Sequence, residues 1–245
     1  MNMDFFLYKL KNICKENEFQ NNLIDLIFKK ANNKIQAKDY KYIKIPKYDS
    51  LINQESKYIS YVKWEDLTNN SFYGSKYLRA IIFDDSINKL TGKCFMYCES
   101  LKYVRLPRSL TEIGYYCFFG CCLLENIYLP NTLIYIGCSS FHNCVSLKSI
   151  IIPNNIKILE EYTFSNCKSL QKVILPDQLE SIYFCTFSNC DSLESIYIPN
   201  SMFNLKYGFC NCKNIKNITI PEKFKEHISE IFNYVDLSNT VINTF

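Results

Sequence analysis

Glycine and histidine are scarce in this sequence, and their scarcity excludes several kinds of active site. Only six glycines occur among 245 residues, and they form no glycine-rich loop of the type that cradles a phosphate. The two histidines, His142 and His227, stand far apart along the chain. A nucleophile needs a neighbouring base to activate it, so we expect no enzymatic activity, no catalytic residue and no cofactor.

The sequence also has no large excess of positive or negative charge. Lys and Arg number 28 and Asp and Glu number 24, and the surplus falls within residues 1–50. Nucleic-acid binding requires a concentrated stripe of basic side chains, which the balanced remainder of the chain does not offer. We therefore expect no nucleic-acid partner.

The chain has no long apolar run that would mark it for export or for a membrane. Asp4, Lys9 and Lys11 interrupt the segment where a secretory signal would need its apolar core. The longest uncharged stretch, residues 126–147, contains Pro130 and several polar side chains, which argues against a membrane span.

The chain contains thirteen cysteines and no recognisable export signal. An odd number of thiols in an oxidising compartment invites mispairing, so we expect free thiols in a reducing compartment. The sequence therefore predicts a cytoplasmic protein. The alternative is the cell surface, reached by a non-classical route.

What the chain does contain is a repeat of 23 residues. Prolines recur at this spacing, with a last step of 22, at Pro107, Pro130, Pro153, Pro176, Pro199 and Pro221. Phenylalanine keeps the same period, at Phe95, Phe118, Phe141, Phe164, Phe187 and Phe209. So does cysteine, at Cys98, Cys121, Cys144, Cys167, Cys190 and Cys212. Three residue types on one period indicate a solenoid, in which stacked units place like residues in columns.

Each unit carries the pattern of a short strand that ends at the proline. Aliphatic residues alternate before it, as at Val104 and Leu106 before Pro107, and a period of two predicts a strand. Proline lacks an N–H and has a fixed φ, so it suits the point where the chain leaves the ladder. Apolar residues return three and six positions later, as at Leu110 and Ile113, and we expect them to face inward from an irregular outer arc.

A tight turn is predicted just before each cysteine. Glycine and asparagine tolerate left-handed φ, and they occupy this position at Gly120, Asn143, Asn166, Asn189 and Asn211. Tyr97 is the exception. The pattern extends backwards through Ile81 and Phe83, so we expect about seven strands from Leu78 onward, preceded by one degenerate unit.

The unit from Leu147 to Leu170 reads LKSIIIPNNIKILEEYTFSNCKSL. It resembles the BspA-type (Treponema pallidum-like) class of leucine-rich repeat, and the resemblance covers Leu78 to Pro221. It implies an α/β repeat solenoid, a horseshoe with a parallel strand ladder on its concave side and an irregular convex side. It also implies a protein-interaction module, because members of the class bind partner proteins and many are surface-associated, and it brings no catalytic residue.

We expect three segments. Residues 1–60 contain two patterns of short amphipathic helices between residues 3 and 31, and they form a helical cap or adaptor. Residues 61–221 form the solenoid. Residues 222–245 form a C-terminal cap, with a closing helix at the spacing of Phe224, Ile228, Ile231 and Val235 and a last strand within 237–245.

The cysteine column invites a metal or disulfide interpretation, which its geometry opposes. Zinc needs four ligands converging on one point, whereas a ladder of stacked coils spreads its cysteines along a line. Parallel side chains also disfavour disulfides between neighbouring coils. We expect no metal site and a column of buried thiols. Burial would make Cys144 a poor nucleophile despite its closeness to His142.

The outward residues of the strands form the candidate binding face. Their central column is Ile82, Arg105, Tyr128, Ile151, Ile174, Tyr197 and Thr219. Both flanking columns are polar, and an apolar stripe with a polar rim is typical of a protein-binding patch. We predict that a protein partner binds a monomeric solenoid through Tyr103, Arg105, Tyr128, Ile151, Ile174 and Tyr197.

Two alternatives remain open at this point. Aromatic and β-branched residues are common in strands whether or not the strand binds anything. This preference alone would explain the central column without a partner. A surface-associated adhesin-like protein, binding host or extracellular ligands, is the second functional possibility.

Overall fold

Short parallel strands succeed one another through residues 60–62, 69–83, 85–205 and 207–245, which are the residues described by the computed structural model. All of them lie within one unit, Lys44–Phe245. The helices predicted between residues 3 and 31 lie outside the described residues. The result is a parallel-strand solenoid of about seven turns, as the repeat predicts.

The strands of this described part are, in chain order, β1 (Ser60–Val62), β2 (Ala80–Phe83), β3 (Lys89–Leu90), β4 (Tyr103–Arg105), β5 (Glu112–Ile113), β6 (Tyr135–Ile136), β7 (Ser149–Ile151), β8 (Ile158–Leu159), β9 (Lys172–Ile174), β10 (Ser181–Ile182), β11 (Ser195–Tyr197), β12 (Asn217–Ile220) and β13 (Val241–Thr244).

The strands that precede the prolines form the first ladder. It runs through β1, β2 and β4, then β7 and β9, then β11, β12 and β13, and every pair is parallel. Ile151 lies opposite Ile174 and Tyr197 opposite Thr219, so the predicted parallel ladder is confirmed. Residues 126–128 are described but form no strand. The horseshoe curvature, and with it the concave side, stays a prediction.

A second ladder replaces the irregular outer arc that the sequence predicted. Here β3, β5 and β6 form one parallel sheet, and β8 pairs with β10. The prediction of irregular structure is wrong for this segment. Each strand is only two residues long, which is too short to show a period of two, and its hydrogen-bonding partner lies one coil away.

Besides its two strand segments, each coil has a third segment, a tight turn that lies between two residues with left-handed φ. The predicted positions are confirmed, with φ between 56° and 71° at Gly120, Asn143, Asn166, Asn189 and Asn211, and Tyr97 adopts the same conformation at 61°. A second set, which the sequence did not predict, lies four residues earlier at Lys93, Tyr116, Ser139, Tyr162, Cys185 and Tyr207. Between them, the N–H of each phenylalanine donates to a carbonyl of the next coil, as from Phe141 to Thr163 over 2.9 Å.

The core is organised around stacked phenylalanine rings. Successive ring centroids lie 5.0–5.4 Å apart with interplanar angles of 6–19°. The column comprises Phe72, Phe95, Phe118, Phe141, Phe164, Phe187, Phe209 and Phe232. Offset stacking of this kind adds to the stabilisation from the burial of each ring.

Residues after Pro221 close the described solenoid with a further coil. A 3₁₀ helix (Glu222–His227) leads into α1 (Ile228–Ile231), and β13 pairs with β12. The predicted last strand is confirmed, whereas the predicted closing helix is met only in part, because helical structure ends at Ile231 and Val235 lies beyond it. The domain boundaries stay a prediction. Across the described ranges we find no helix with the length and apolar character needed to cross a membrane.

Candidate functional site

The outward side of the first ladder, which we call the strand face, carries the predicted central column. Inward residues such as Ile150 and Ile196 are buried, and alternation along each strand turns their neighbours outward. Tyr128 is 60% exposed and Tyr197 49% exposed, while Ile151, Ile174, Tyr103 and Arg105 are partly exposed. The structure therefore places all six predicted residues on one side of the coils.

The apolar part of this column gains one residue that the sequence did not indicate. The ring of Phe245 stacks on Tyr197, with centroids 5.5 Å apart and an interplanar angle of 7°, and it is 52% exposed. Phe245 follows the last strand. Because Thr244 lies opposite Ile220, Phe245 stands at the position that Pro221 holds one coil earlier, and the repeat pattern indicates no aromatic ring there.

Arg105 is anchored at the opposite end of the column. Its Nη1 donates to the carbonyl of Phe83 over 3.0 Å, and its Nη2 to Asp85 over 3.3 Å. The N–H of Arg108 also donates to Asp85, and that bond, assisted by the charge of Arg105, holds the pKa of the carboxyl below its ordinary value. These contacts hold the Arg105 guanidinium against the preceding coil.

One flank of the strand face is a row of ion pairs between neighbouring coils. Glu125 contacts Lys102 and Lys148, each over 2.8 Å, and Glu194 contacts Lys216 over 2.9 Å. The two lysine hydrogen bonds lower the pKa of Glu125. Exposed pairs of this kind add little stability, and three ammonium groups against two carboxylates leave this polar border with one net positive charge.

The cysteines of the described residues are free thiols, and those of the predicted column are buried. Burial raises the pKa of Cys167 and of Cys212 to about 12 and raises that of Cys144 well above its ordinary value. A thiol that keeps its proton is a poor nucleophile and a poor metal ligand. In the described part of the chain, no group of three or more His, Cys, Asp or Glu side chains is placed to hold a metal ion.

Exposed and half-exposed aromatic rings line the third turn of successive coils, which we call the turn face. Ring contacts at 5.6–6.4 Å link His142 to Tyr162, Tyr162 to Phe184, and onward to Tyr207 at 5.8 Å. An open cavity of about 630 Å³ lies here and is lined in part by His142, Tyr162, Cys185 and Tyr234. No pattern in the sequence indicated this surface, because the rings occupy several positions of the repeat.

Comparison with known proteins identifies the architecture. The family described as "BspA type Leucine rich repeat region" matches residues 65–156 and 134–245, in six copies. A leucine-rich repeat protein from Bacteroides ovatus is 21% identical with a TM-score of 0.56, over 78% of this chain and 60% of its own. The Treponema pallidum leucine-rich repeat protein is 23% identical with a TM-score of 0.58, over 74% of this chain and 80% of its own.

These solved structures share the fold, and the chain spans only 60% of the Bacteroides ovatus protein. No curated protein matches the chain. The family match covers most of the solenoid and coincides with the columns of phenylalanine, cysteine and proline. This chain therefore belongs to the BspA-type leucine-rich repeat family.

Proposed function

We propose that this chain is a non-catalytic protein-interaction module whose strand face, taken as the concave side of the solenoid, binds a protein partner. Tyr128, Ile151, Ile174 and Tyr197 form the contact stripe, and Tyr103 and Arg105 extend it towards the N-terminus. The observation that carries the proposal is the exposure of this apolar stripe between polar columns. Leucine-rich repeat proteins are in general interaction modules.

The chemistry of the stripe suits a protein surface. Tyrosine is enriched among the residues that dominate binding energy, because its ring buries a large area and its hydroxyl can still find a partner. The flanking ion pairs would surround the apolar centre with polar groups, as in the rim of an interface. The hydrogen-bonded ladder holds the backbone of Ile151, Ile174 and Tyr197 in place, so little backbone entropy is lost at these residues on binding.

The non-catalytic part of the proposal rests on where the reactive groups lie. The thiols of the column are protonated and enclosed in the core. Burial lowers the pKa of His142, and its ring stacks on Phe119 with centroids 4.8 Å apart. Neither group stands on the strand face, where a substrate would meet the proposed binding residues.

We place the module in the cytoplasm. The proposal is supported by free thiols that contribute hydrogen bonds to the core, which a reducing compartment would preserve. An adhesin-like role would require the protein at the cell surface. Surface biotinylation with cell fractionation separates the two, since labelling of intact cells would overturn the cytoplasmic assignment.

The binding proposal is tested by affinity purification with the immobilised chain and a lysate of the native organism. The double variant Tyr128→Ala and Tyr197→Ala should lose at least tenfold in affinity for the protein retained by the wild type. The matched control, Tyr115→Ala with Tyr135→Ala, removes two exposed tyrosines away from the strand face and should bind normally. Equal retention by both variants, with unchanged thermal melts, would refute the strand-face assignment.

A further inference from the structure

The last strand of the first ladder has a strand partner on only one of its two edges in the described part of the chain. One edge of β13 pairs with β12, with Ile218 opposite Ile242 and Thr219 opposite Asn243. No other strand among the described residues pairs with β13. We call its second edge the outer edge. An unpaired edge is a template for the addition of a further strand.

The hydrogen bonds to β12 show which backbone groups face the outer edge. The N–H of Val241 donates to the carbonyl of Lys216 over 2.8 Å. Alternate residues of a parallel strand bond to the same neighbour, so Val241 and Asn243 are the residues of β13 that bond to β12. The N–H and C=O groups of Ile242 and Thr244 therefore point to the outer edge.

The apolar core is also open at this edge. Ile196, Ile218 and Ile242 occupy one inward column of the ladder. The first two are 4% and 0% exposed, because each has a coil on either side, whereas Ile242 is 38% exposed. The outer edge therefore combines backbone hydrogen-bonding groups with an apolar side chain of a kind that the preceding coils bury.

The outer edge has none of the features that usually keep sheet edges apart. Lysine, proline and β-bulges protect an edge from pairing. Residues 237–245 contain no charged side chain and no proline, and β13 keeps an unbroken register with β12 over four residues. Two such edges would meet without repulsion between charged side chains, so the edge suits a second copy of itself.

We propose that β13 pairs with β13 of a second copy of this chain, antiparallel about a two-fold axis at Asn243. In this register Ile242 of each copy lies opposite Thr244 of the other. Both residues direct their backbone groups outward, so the two pairs exchange four N–H···O bonds. An axis at Ile242 or at Thr244 would leave only one such pair, with two bonds, within β13. The edge is therefore self-complementary in one register.

The side chains that meet in this register are compatible. Val241 would lie opposite Phe245 of the second copy, which gives two apolar cross-strand pairs, and Asn243 would lie opposite its own equivalent, where the two amides can hydrogen-bond. Side chains of paired residues point to the same side of a sheet, so both strand faces would lie on one side of a continuous sheet. This dimer departs from the monomer expected from the sequence, because a repeat pattern does not say what covers the last coil.

Sedimentation equilibrium of the full chain tests for the dimer. Between about 1 and 200 µM, the average mass should rise from that of one chain towards that of two, because association follows mass action. Ile242→Pro removes one N–H from the outer edge and keeps the bonds of Val241 and Asn243 to β12, so it should weaken dimerisation at least tenfold. The matched control, Ile242→Val, retains the N–H and should dimerise as the wild type does.

Disulfide cross-linking tests the register. The two Asn243 residues would form a non-hydrogen-bonded pair with Cα atoms about 4.5 Å apart, which a disulfide can span. Asn243→Cys should therefore give a covalent dimer with oxidised glutathione, seen on a non-reducing gel. The control, Thr219→Cys, carries the same native thiols and lies one coil earlier in the same column. It should stay monomeric on the gel, because three strand spacings of about 4.8 Å would separate its two copies.

Three results would overturn the proposal. One is a mass that stays at that of a single chain over the whole concentration range. Another is dimerisation that Ile242→Pro leaves unchanged, which would assign the contact to another part of the chain. The third is equal cross-linking, or none, with Asn243→Cys and Thr219→Cys. Should Ile242→Pro fail to fold, the concentration dependence of the wild type and the cross-linking pair still decide.

Discussion

The thiol of Cys144 donates a hydrogen bond to the backbone carbonyl of Phe118, one coil earlier, over 3.2 Å. The same carbonyl accepts the N–H of Cys121 from its own coil over 3.1 Å. Six thiols make this contact with the preceding phenylalanine at 3.0–3.3 Å, namely Cys98, Cys121, Cys144, Cys167, Cys190 and Cys212. The column therefore uses both properties of cysteine, which is a small apolar side chain and a weak donor.

Removing one such thiol should weaken the fold modestly. We expect Cys144→Ala to lower the free energy of unfolding by about 1–2 kcal/mol, because it leaves a small void and takes one donor from the Phe118 carbonyl. Urea denaturation measures the change. Cys138→Ala, at a partly exposed thiol, is the control and should change stability by less than about 0.5 kcal/mol. Equal effects of the two substitutions would contradict a structural role for the Cys144 contact.

The phenylalanine column should contribute far more. Phe164 is fully buried and stacks on Phe141 and Phe187 at 5.3 and 5.4 Å. Emptying a buried aromatic site costs about 3–5 kcal/mol, so Phe164→Ala should shift the urea midpoint strongly. Phe184→Ala removes a ring that is 45% exposed and should cost much less. A near-zero change at Phe164 would contradict the stacked core.

Stability should fall in alkaline solution because the buried thiols resist ionisation. Burial raises the pKa of Cys167 and Cys212 from 9.0 to about 12 in the folded chain. Above pH 9 the unfolded chain loses these protons while the folded chain keeps them, so rising pH favours unfolding up to about pH 12. Each thiol should cost about 1.4 kcal/mol of stability for each pH unit above 9.

Denaturation curves at pH 8 and pH 10 test this dependence. Replacing both residues, Cys167→Ser with Cys212→Ser, removes two titrating groups and should reduce the loss of stability between these pH values by about 3 kcal/mol. Tyrosine and lysine titrate in the same range in both proteins, so the difference between the two isolates the thiols. Parallel losses of stability would show that the thiols ionise equally in the folded and unfolded chains.

The sequence predicted the parts of the structure that depend on one residue type at one spacing. The column of Phe141 and Phe164 and the left-handed turn at Asn166 could be predicted from the sequence. Each coil must bury a side chain and turn its backbone at the same position of the repeat. The second left-handed residue was missed because Tyr162 and Cys185 do not signal that conformation. Hydrogen bonds to the next coil impose it on whichever residue stands there.

By itself, the sequence determined the period, the inward columns and the strand face, because stacked identical units require like residues at like positions. Only the tertiary structure decided that Phe245 stacks on Tyr197 and that His142, Tyr162, Phe184 and Tyr207 form a chain of ring contacts. These contacts join different residue types from different coils. Their geometry follows from the rise of each coil and from the directions of the side chains, which a linear pattern does not contain.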